Sequence, residues 1–216
     1  MNAASYDLVM MAASAGGITA LRTVLSALPA GFPLPIAVVL HRTAREPHLL
    51  AQVLARGTAL RVKRVDPGEA LQPGTAYVAP ASTHLVVRPD RTLAVTDGRK
   101  IRHLRSSANP LLESAAAGLQ RRMIAVVLAG GGRDATDGVQ TVKARGGTVI
   151  AQDEAAYEYF GMPGSAIGSG AAIETGAVDR ILPLGAIGSA LVELAAAGPP
   201  ARHSTGLEPV WGGTPA

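Results

Sequence analysis

The chain of 216 residues contains no cysteine, which excludes disulfides, thiol nucleophiles and cysteine-ligated metal sites. Aromatic residues make up only 3% of it, too few for the stacking platforms that hold single-stranded nucleic acid, so nucleic-acid binding is not expected. Apolar runs are short: none approaches the roughly 18 residues of a membrane span, and the opening MNAASYD lacks the basic start and apolar stretch of a signal peptide. The expected location is cytoplasmic, without membrane insertion. Charged residues are 17% against 48% hydrophobic, so a sizeable core can be built, mainly from Ala, Val, Leu and Ile. That composition suits helices packed on a parallel sheet.

The length fits one α/β domain. We read residues 1–197 as that domain and residues 198–216, rich in Pro and Gly, as a disordered tail. Charge is uneven along it. Residues 1–110 carry 13 Lys or Arg against 6 Asp or Glu, whereas residues 111–216 carry 7 against 10. A basic half can meet an acidic partner, although a soluble surface needs no such explanation.

Residues 8–28, LVMMAASAGGITALRTVLSAL, organise the rest. An apolar run ends at Ser14, passes Ala15, Gly16 and Gly17, and continues with Ile18, Leu21, Leu25 and Leu28 at helical spacing. The pattern predicts strand, tight turn and helix. It places the Ser14 hydroxyl at the carboxyl end of a strand beside the unpaired N–H groups that begin a helix. Such N–H groups, with the helix dipole, can stabilise a developing oxyanion, and Ser14 is therefore a candidate nucleophile. Small residues at this kind of turn also serve close packing or phosphate binding. Neither G-x-S-x-G nor G-x-G-x-x-G can be laid on the segment.

A second buried run, IAVVL at residues 36–40, ends at His41, and a loop bearing Arg42 and Arg45 leads to a helix over residues 47–56. Residues 57–98 read as a small β insertion in which TAYVAP and HLVVRPDRTLAV form short antiparallel strands. A basic loop follows, DGRKIRHLRSS, with Arg102 and Arg105 among its charges. Pro110 opens a helix reaching to about residue 122.

The third buried run, residues 124–129, leads into GGGRDATDG. Its triple glycine permits close backbone approach. Asp134 lies on the same rim as Ser14 and His41, with Asp137 as a competitor. Read locally, Asp134 is an N-cap for a helix over residues 135–145 in preference to a catalytic carboxylate. A fourth strand at residues 148–151, a break at residues 162–164, a short helix, a strand near residues 178–184 and a helix over residues 185–197 complete the domain. The expected architecture is a three-layer, doubly wound, mainly parallel sheet with a small antiparallel β-hairpin insertion.

Ser14, His41 and Asp134 thus each follow a separate buried strand. In a parallel sheet those ends share one rim, and serine, imidazole and carboxylate form a set competent for nucleophilic acyl transfer. At this point the chain resembles the catalytic domain of the chemotaxis receptor methylesterases, the CheB family. The matching pieces are AASAGGITAL, LHR, PGTAYVAP, LAGGGRDATDG and AQDEAAYEYFGMP, in that order. The resemblance implies Ser14 as nucleophile, His41 as base and Asp134 as its carboxylate. It further implies hydrolysis of glutamyl γ-methyl esters on the methylated cytoplasmic region of a chemoreceptor, with methanol released, and deamidation of receptor glutamines in some members. Ala15, Gly16 and Gly131 would supply oxyanion N–H groups, and Arg42, Arg45, Arg102 and Arg105 would meet the acidic receptor. No metal or cofactor is implied.

The chain departs from the family pattern in four places. Ala12 and Ala135 stand where glycines are usual, Gly131 stands where a larger side chain is usual, and R-P-S-x-D becomes Arg105-Ser106-Ser107-Ala108-Asn109. Because the first catalytic strand begins so near Met1, no receiver domain is expected before it, and control would be constitutive or exerted by a regulator in trans. Two other readings compete: a non-catalytic module docking an acidic helix through the four arginines, and a nucleotide-binding turn at residues 15–17. Against the latter, His41 occupies the place of a ribose-binding acid.

Overall fold

The computed structural model describes residues 5–41, 49–97, 106–154, 160–169 and 176–200. Its elements follow the order β1 (Leu8–Ala13), α1 (Gly17–Ser26), β2 (Ile36–Leu40), α2 (Leu50–Ala55), β3 (Arg61–Arg64), β4 (Thr75–Val78), β5 (His84–Val87), β6 (Leu93–Thr96) and α3 (Asn109–Leu119). Then come β7 (Met123–Val127), α4 (Thr136–Ala144), β8 (Thr148–Gln152), α5 (Gly161–Gly168), β9 (Arg180–Leu182) and α6 (Leu184–Ala197). Seven strands form one sheet in the order β3-β4-β2-β1-β7-β8-β9, and all neighbours are parallel. β5 and β6 pair antiparallel in a separate hairpin, tied to α3 by Val87 N–H donating to Ser114 Oγ at 3.0 Å.

Every residue of β1, β2 and β7 is buried, because helices cover both faces of the sheet. Alternate residues go to opposite sides. Val9, Met11, Ala13, Ile36, Val38 and Leu40 pack with α1, α2 and α6. Leu8, Met10, Ala12, Ala37 and Val39 pack with α3, α4, α5 and the hairpin. At the closest approach of helix to sheet the side chain is reduced to hydrogen. A Cβ at Gly17 would stand 2.7 Å from both Ala13 Cβ and Leu40 Cδ1, so α1 can sit directly behind β1 and β2 only with glycine there.

The structure has the three-layer parallel architecture that the sequence pattern predicts, with two corrections. Residues 75–78 are not an antiparallel insertion strand. β4 pairs parallel with β2 and β3 inside the main sheet, with all four residues buried and the Tyr77 hydroxyl bonded to Ala70 O (3.1 Å) and Gln72 N–H (2.9 Å). Only β5 and β6 form the expected hairpin. Residues 162–164 are not a break either: they belong to α5, where Pro163 falls in the first turn and its missing N–H costs no intrahelical bond. Residues 42–48, which include the first two residues of the helix predicted over 47–56, lie outside the described residues, as does the predicted tail beyond residue 200.

Close approach also governs α6. Gly188 faces Ala27, whose Cβ would be 2.5 Å from a Cβ at position 188, whereas a Cβ at Gly185 would meet nothing within 4 Å. Gly185→Ala is expected to stabilise the protein by about 0.5–1 kcal/mol through helix propensity. Gly188→Ala is expected to destabilise it by about 1–3 kcal/mol through overpacking. Urea denaturation of the two variants beside the parent chain measures both signs.

Candidate active site

Ser14 is the first residue beyond β1. Its N–H donates to Ala129 O beyond β7 (2.9 Å), and its carbonyl accepts from Gly17 N–H (2.8 Å). The turn that follows needs glycine at position 16, where φ is +75°, and α1 starts immediately after it. Ala15 and Gly16 are exposed, and among the described residues their N–H groups make no backbone hydrogen bond. His41 is the first residue beyond β2, and its N–H donates to Ala13 O (3.0 Å). Since Ala13 is in register with Leu40, Ser14 and His41 take the next step on adjacent parallel strands. They line the same open pocket of about 490 Å³, with Ala15, Gly16 and Ile18 on its wall. No hydrogen bond joins Ser14 Oγ to His41 in this structure, an arrangement that often tightens only when substrate binds.

Asp134 meets His41 from the other side. Its Oδ2 is 2.5 Å from His41 Nε2 and also accepts from Ala108 N–H (2.7 Å), while Oδ1 accepts from the Ser107 hydroxyl (2.6 Å). Asp134 is only 4% exposed. Burial alone would push its carboxyl up, but the bond and the charge of His41, then the Ala108 N–H and the Ser107 hydroxyl, outweigh it and hold the group below the usual carboxylate range. An ionised carboxylate can only accept. The Nε2 of His41 therefore carries the proton of this hydrogen bond, and Nδ1 is the ring nitrogen not engaged by Asp134.

The helix-cap reading of Asp134 is corrected here. The N-cap of α4 is Ala135, in the left-handed conformation at φ +69°, with no side chain capping it, and the Asp134 carboxylate is turned to His41 instead. Asp137, the competing carboxylate, lies exposed in the first turn of α4, where it favours the helix dipole. Within the triple glycine, Gly130 rather than Gly131 lies against the serine: a Cβ at position 130 would be 2.8 Å from Ser14 Cβ, whereas at Gly131 it would meet open space. Arg42, Arg45, Arg102 and Arg105 all lie outside the described residues. Among the described residues no His, Asp and Glu side chains gather as metal ligands would, and no helix is long and apolar enough to cross a membrane.

Three residues of this arrangement escaped sequence reasoning. Ser107 and Ala108 hold Asp134, and Asn109 supports them, its N–H donating to Ser107 Oγ (3.2 Å) and its Oδ1 accepting from Gly138 N–H (2.9 Å) in α4. The available signal was the altered R-P-S-x-D segment, in which Ser107 keeps the position of the family's serine.

The chain is similar in sequence and in structure to known proteins. The model of the family described as CheB methylesterase matches residues 9–191. The protein-glutamate methylesterase FrzG of Myxococcus xanthus is 42% identical over 188 residues, covering 87% of this chain and 54% of the relative. The chain thus spans about half the length of that curated relative. A putative protein-glutamate methylesterase/protein-glutamine glutaminase of Leptospira interrogans is 32% identical, covering 88% of this chain and 95% of the relative. The crystal structure of the Thermotoga maritima CheB methylesterase catalytic domain superposes with a TM-score of 0.79 at 36% identity, covering 88% of this chain and 99% of that one.

The depressed Asp134 carboxyl links stability to pH. A folded-state value below the unfolded one contributes stability that is fully present above the unfolded value, near pH 4, and is lost as pH falls through the folded value. Stability measured from pH 7 to pH 2.5 is expected to show an acid loss in the parent chain that Asp134→Asn lacks; parallel curves would mean that Asp134 carries no such linkage.

Proposed function

The chain belongs to the CheB methylesterase family, and from that premise we propose that it hydrolyses glutamyl γ-methyl esters on the cytoplasmic part of a chemoreceptor or related signalling receptor, releasing methanol. The observation that carries this reading is the buried His41–Asp134 pair at the lip of the pocket that Ser14 lines. A docking module has no need of an ionised carboxylate held by three donors beneath an imidazole.

In the proposed reaction Ser14 Oγ attacks the ester carbonyl while His41, through Nδ1, takes the hydroxyl proton. Asp134 fixes the tautomer and stabilises the imidazolium. Negative charge develops on the carbonyl oxygen. The N–H groups of Ala15 and Gly16, at the positive end of α1, are assigned as its donors, and the glycine loop containing Gly131 as a further one. His41 then returns the proton to the methoxide leaving group. Water attacks the acyl-enzyme with His41 again as base, which regenerates Ser14 and frees the carboxylate. A glutamine side chain would follow the same course with ammonia as the leaving group, which would account for the double name of the Leptospira relative.

Ile18, 43% exposed beside Ser14, offers an apolar contact for the flank of the ester-bearing segment. Arg42, Arg45, Arg102 and Arg105 are proposed to meet acidic side chains of the receptor. We place the protein in the cytoplasm, where its proposed substrate lies.

Methanol release from methylated receptor membranes tests the reading directly. Ser14→Ala is expected to lower kcat by roughly 10⁴-fold or more, with little further loss in the Ser14→Ala/His41→Ala double variant because the groups act together. Asp134→Asn is expected to cost about 10⁴-fold through the wrong tautomer. Release that survives Ser14→Ala, or that is lost on Asp137→Asn instead, overturns the assignment.

A further inference from the structure

At the carboxyl end of the sheet, β7 and β8 stop pairing before the chain reaches the glycine loop. Their last register pair is Val127 with Ala151. Beyond it β8 stays with β9, where Gln152 pairs with Leu182 and Asp153 N–H donates to Leu182 O (2.9 Å). β7 instead follows β1, with Leu128 N–H donating to Ala12 O (2.9 Å). The strands therefore separate at Ala129, which is 1% exposed, and its N–H has no strand carbonyl to meet. A side chain takes that place: Gln152, also 1% exposed, accepts the Ala129 N–H at Oε1 (3.0 Å).

The same residue holds the serine. Ala129 O accepts the Ser14 N–H (2.9 Å), and the next carbonyl, Gly130 O, accepts Met162 N–H from α5 (2.8 Å). Gly130 in turn abuts Ser14 Cβ. We infer that Gln152 is a positioning residue for the nucleophile: its carboxamide substitutes for the missing ladder bond and fixes the backbone of residues 129–130, which in turn fixes Ser14. Without that acceptor a buried N–H is left unsatisfied. The Leu128–Ala129 peptide then rotates to seek a partner, which changes the torsions at the Ala129 Cα, and the Ala129 carbonyl that accepts the Ser14 N–H shifts with them. The inference rests on the esterase reading for its catalytic consequence, though not for its geometry.

A misplacement of about 1 Å at a reacting group costs on the order of 100-fold in rate. Gln152→Leu is therefore expected to lower kcat on a methyl-esterified glutamyl peptide by about 10- to 100-fold while KM stays within about twofold. Gln152→Glu, which keeps an acceptor oxygen at the same reach with its carboxyl protonated in a site only 1% exposed, is expected to recover part of that loss. In parallel, amide hydrogen exchange on the full chain is expected to quicken at Ala129 and Ser14 in Gln152→Leu and to stay unchanged through residues 8–13. A parental kcat in Gln152→Leu, at whatever melting temperature, overturns the inference, as does unchanged exchange at both amides. If the parent chain releases no methanol from any ester, the esterase reading fails on its own account, and the exchange rates still decide whether Gln152 holds Ser14.

Discussion

The carboxylate of Asp134 is the constraint around which the carboxyl rim of the sheet is arranged. A charge that is 4% exposed survives in a folded interior only if most of its lone pairs are met. Here the donors come from separate parts of the chain: His41 from the end of β2, Ser107 and Ala108 from the entry to α3. Each must be placed by its own element, so satisfying one side chain fixes the relative positions of β2, α3 and the loop after β7. Imidazole orientation then follows as a by-product. Because the carboxylate can only accept, the ring is held with its Nε2–H toward Asp134 and with Nδ1 as its other nitrogen.

Small residues make this convergence possible. Gly17 lets α1 press against Ala13 and Leu40, which brings the N–H groups of the turn beside Ser14. Gly130 does the same from β7, with Ser14 Cβ on one side and Met162 Sδ on the other, and Gly161 lets α5 reach the Gly130–Gly132 backbone. At Gly138 a Cβ would be 2.7 Å from Leu112 Cβ, so α3 and α4 approach closely enough for Asn109 to bond across. The scarcity of aromatics is thus matched by a site built through backbone proximity rather than through bulky walls.

What the sequence made legible was whatever its local pattern determines. The run LVMMAA ending at Ser14 and IAVVL ending at His41 are fully buried strands because nothing in either suits a surface, and their shared rim follows from parallel pairing. Asp134 was ambiguous for a physical reason: a carboxylate just before a helix is the ordinary sign of a cap, and only the tertiary position of His41, 93 residues away, decides otherwise. β4 was misplaced because TAYV between turn signals carries no mark of its partners, while its burial comes from strands that the local sequence does not contain. Gln152 was invisible for a similar reason, since a polar residue ending an apolar strand gives no hint that a neighbouring strand will leave an N–H unmet.

The departures from the family pattern take on physical meaning in this setting. Where the resembled family has Asp-Gly, Ala135 adopts the left-handed conformation at φ +69°, at a cost of about 1–2 kcal/mol for a residue with a Cβ. Its methyl group is completely buried beside Val139 and Leu112 in the same apolar cluster, and burying a group of that size returns about 0.8 kcal/mol. The two effects are of similar size, so the site tolerates alanine. Asn109 stands where that family carries an acid, and its Oδ1 accepts the Gly138 N–H without adding a second buried negative charge to the cluster that already holds Asp134. Both changes leave the donors around Asp134 in place. The arrangement depends on hydrogen-bond acceptors and backbone conformations rather than on particular side chains at these two positions.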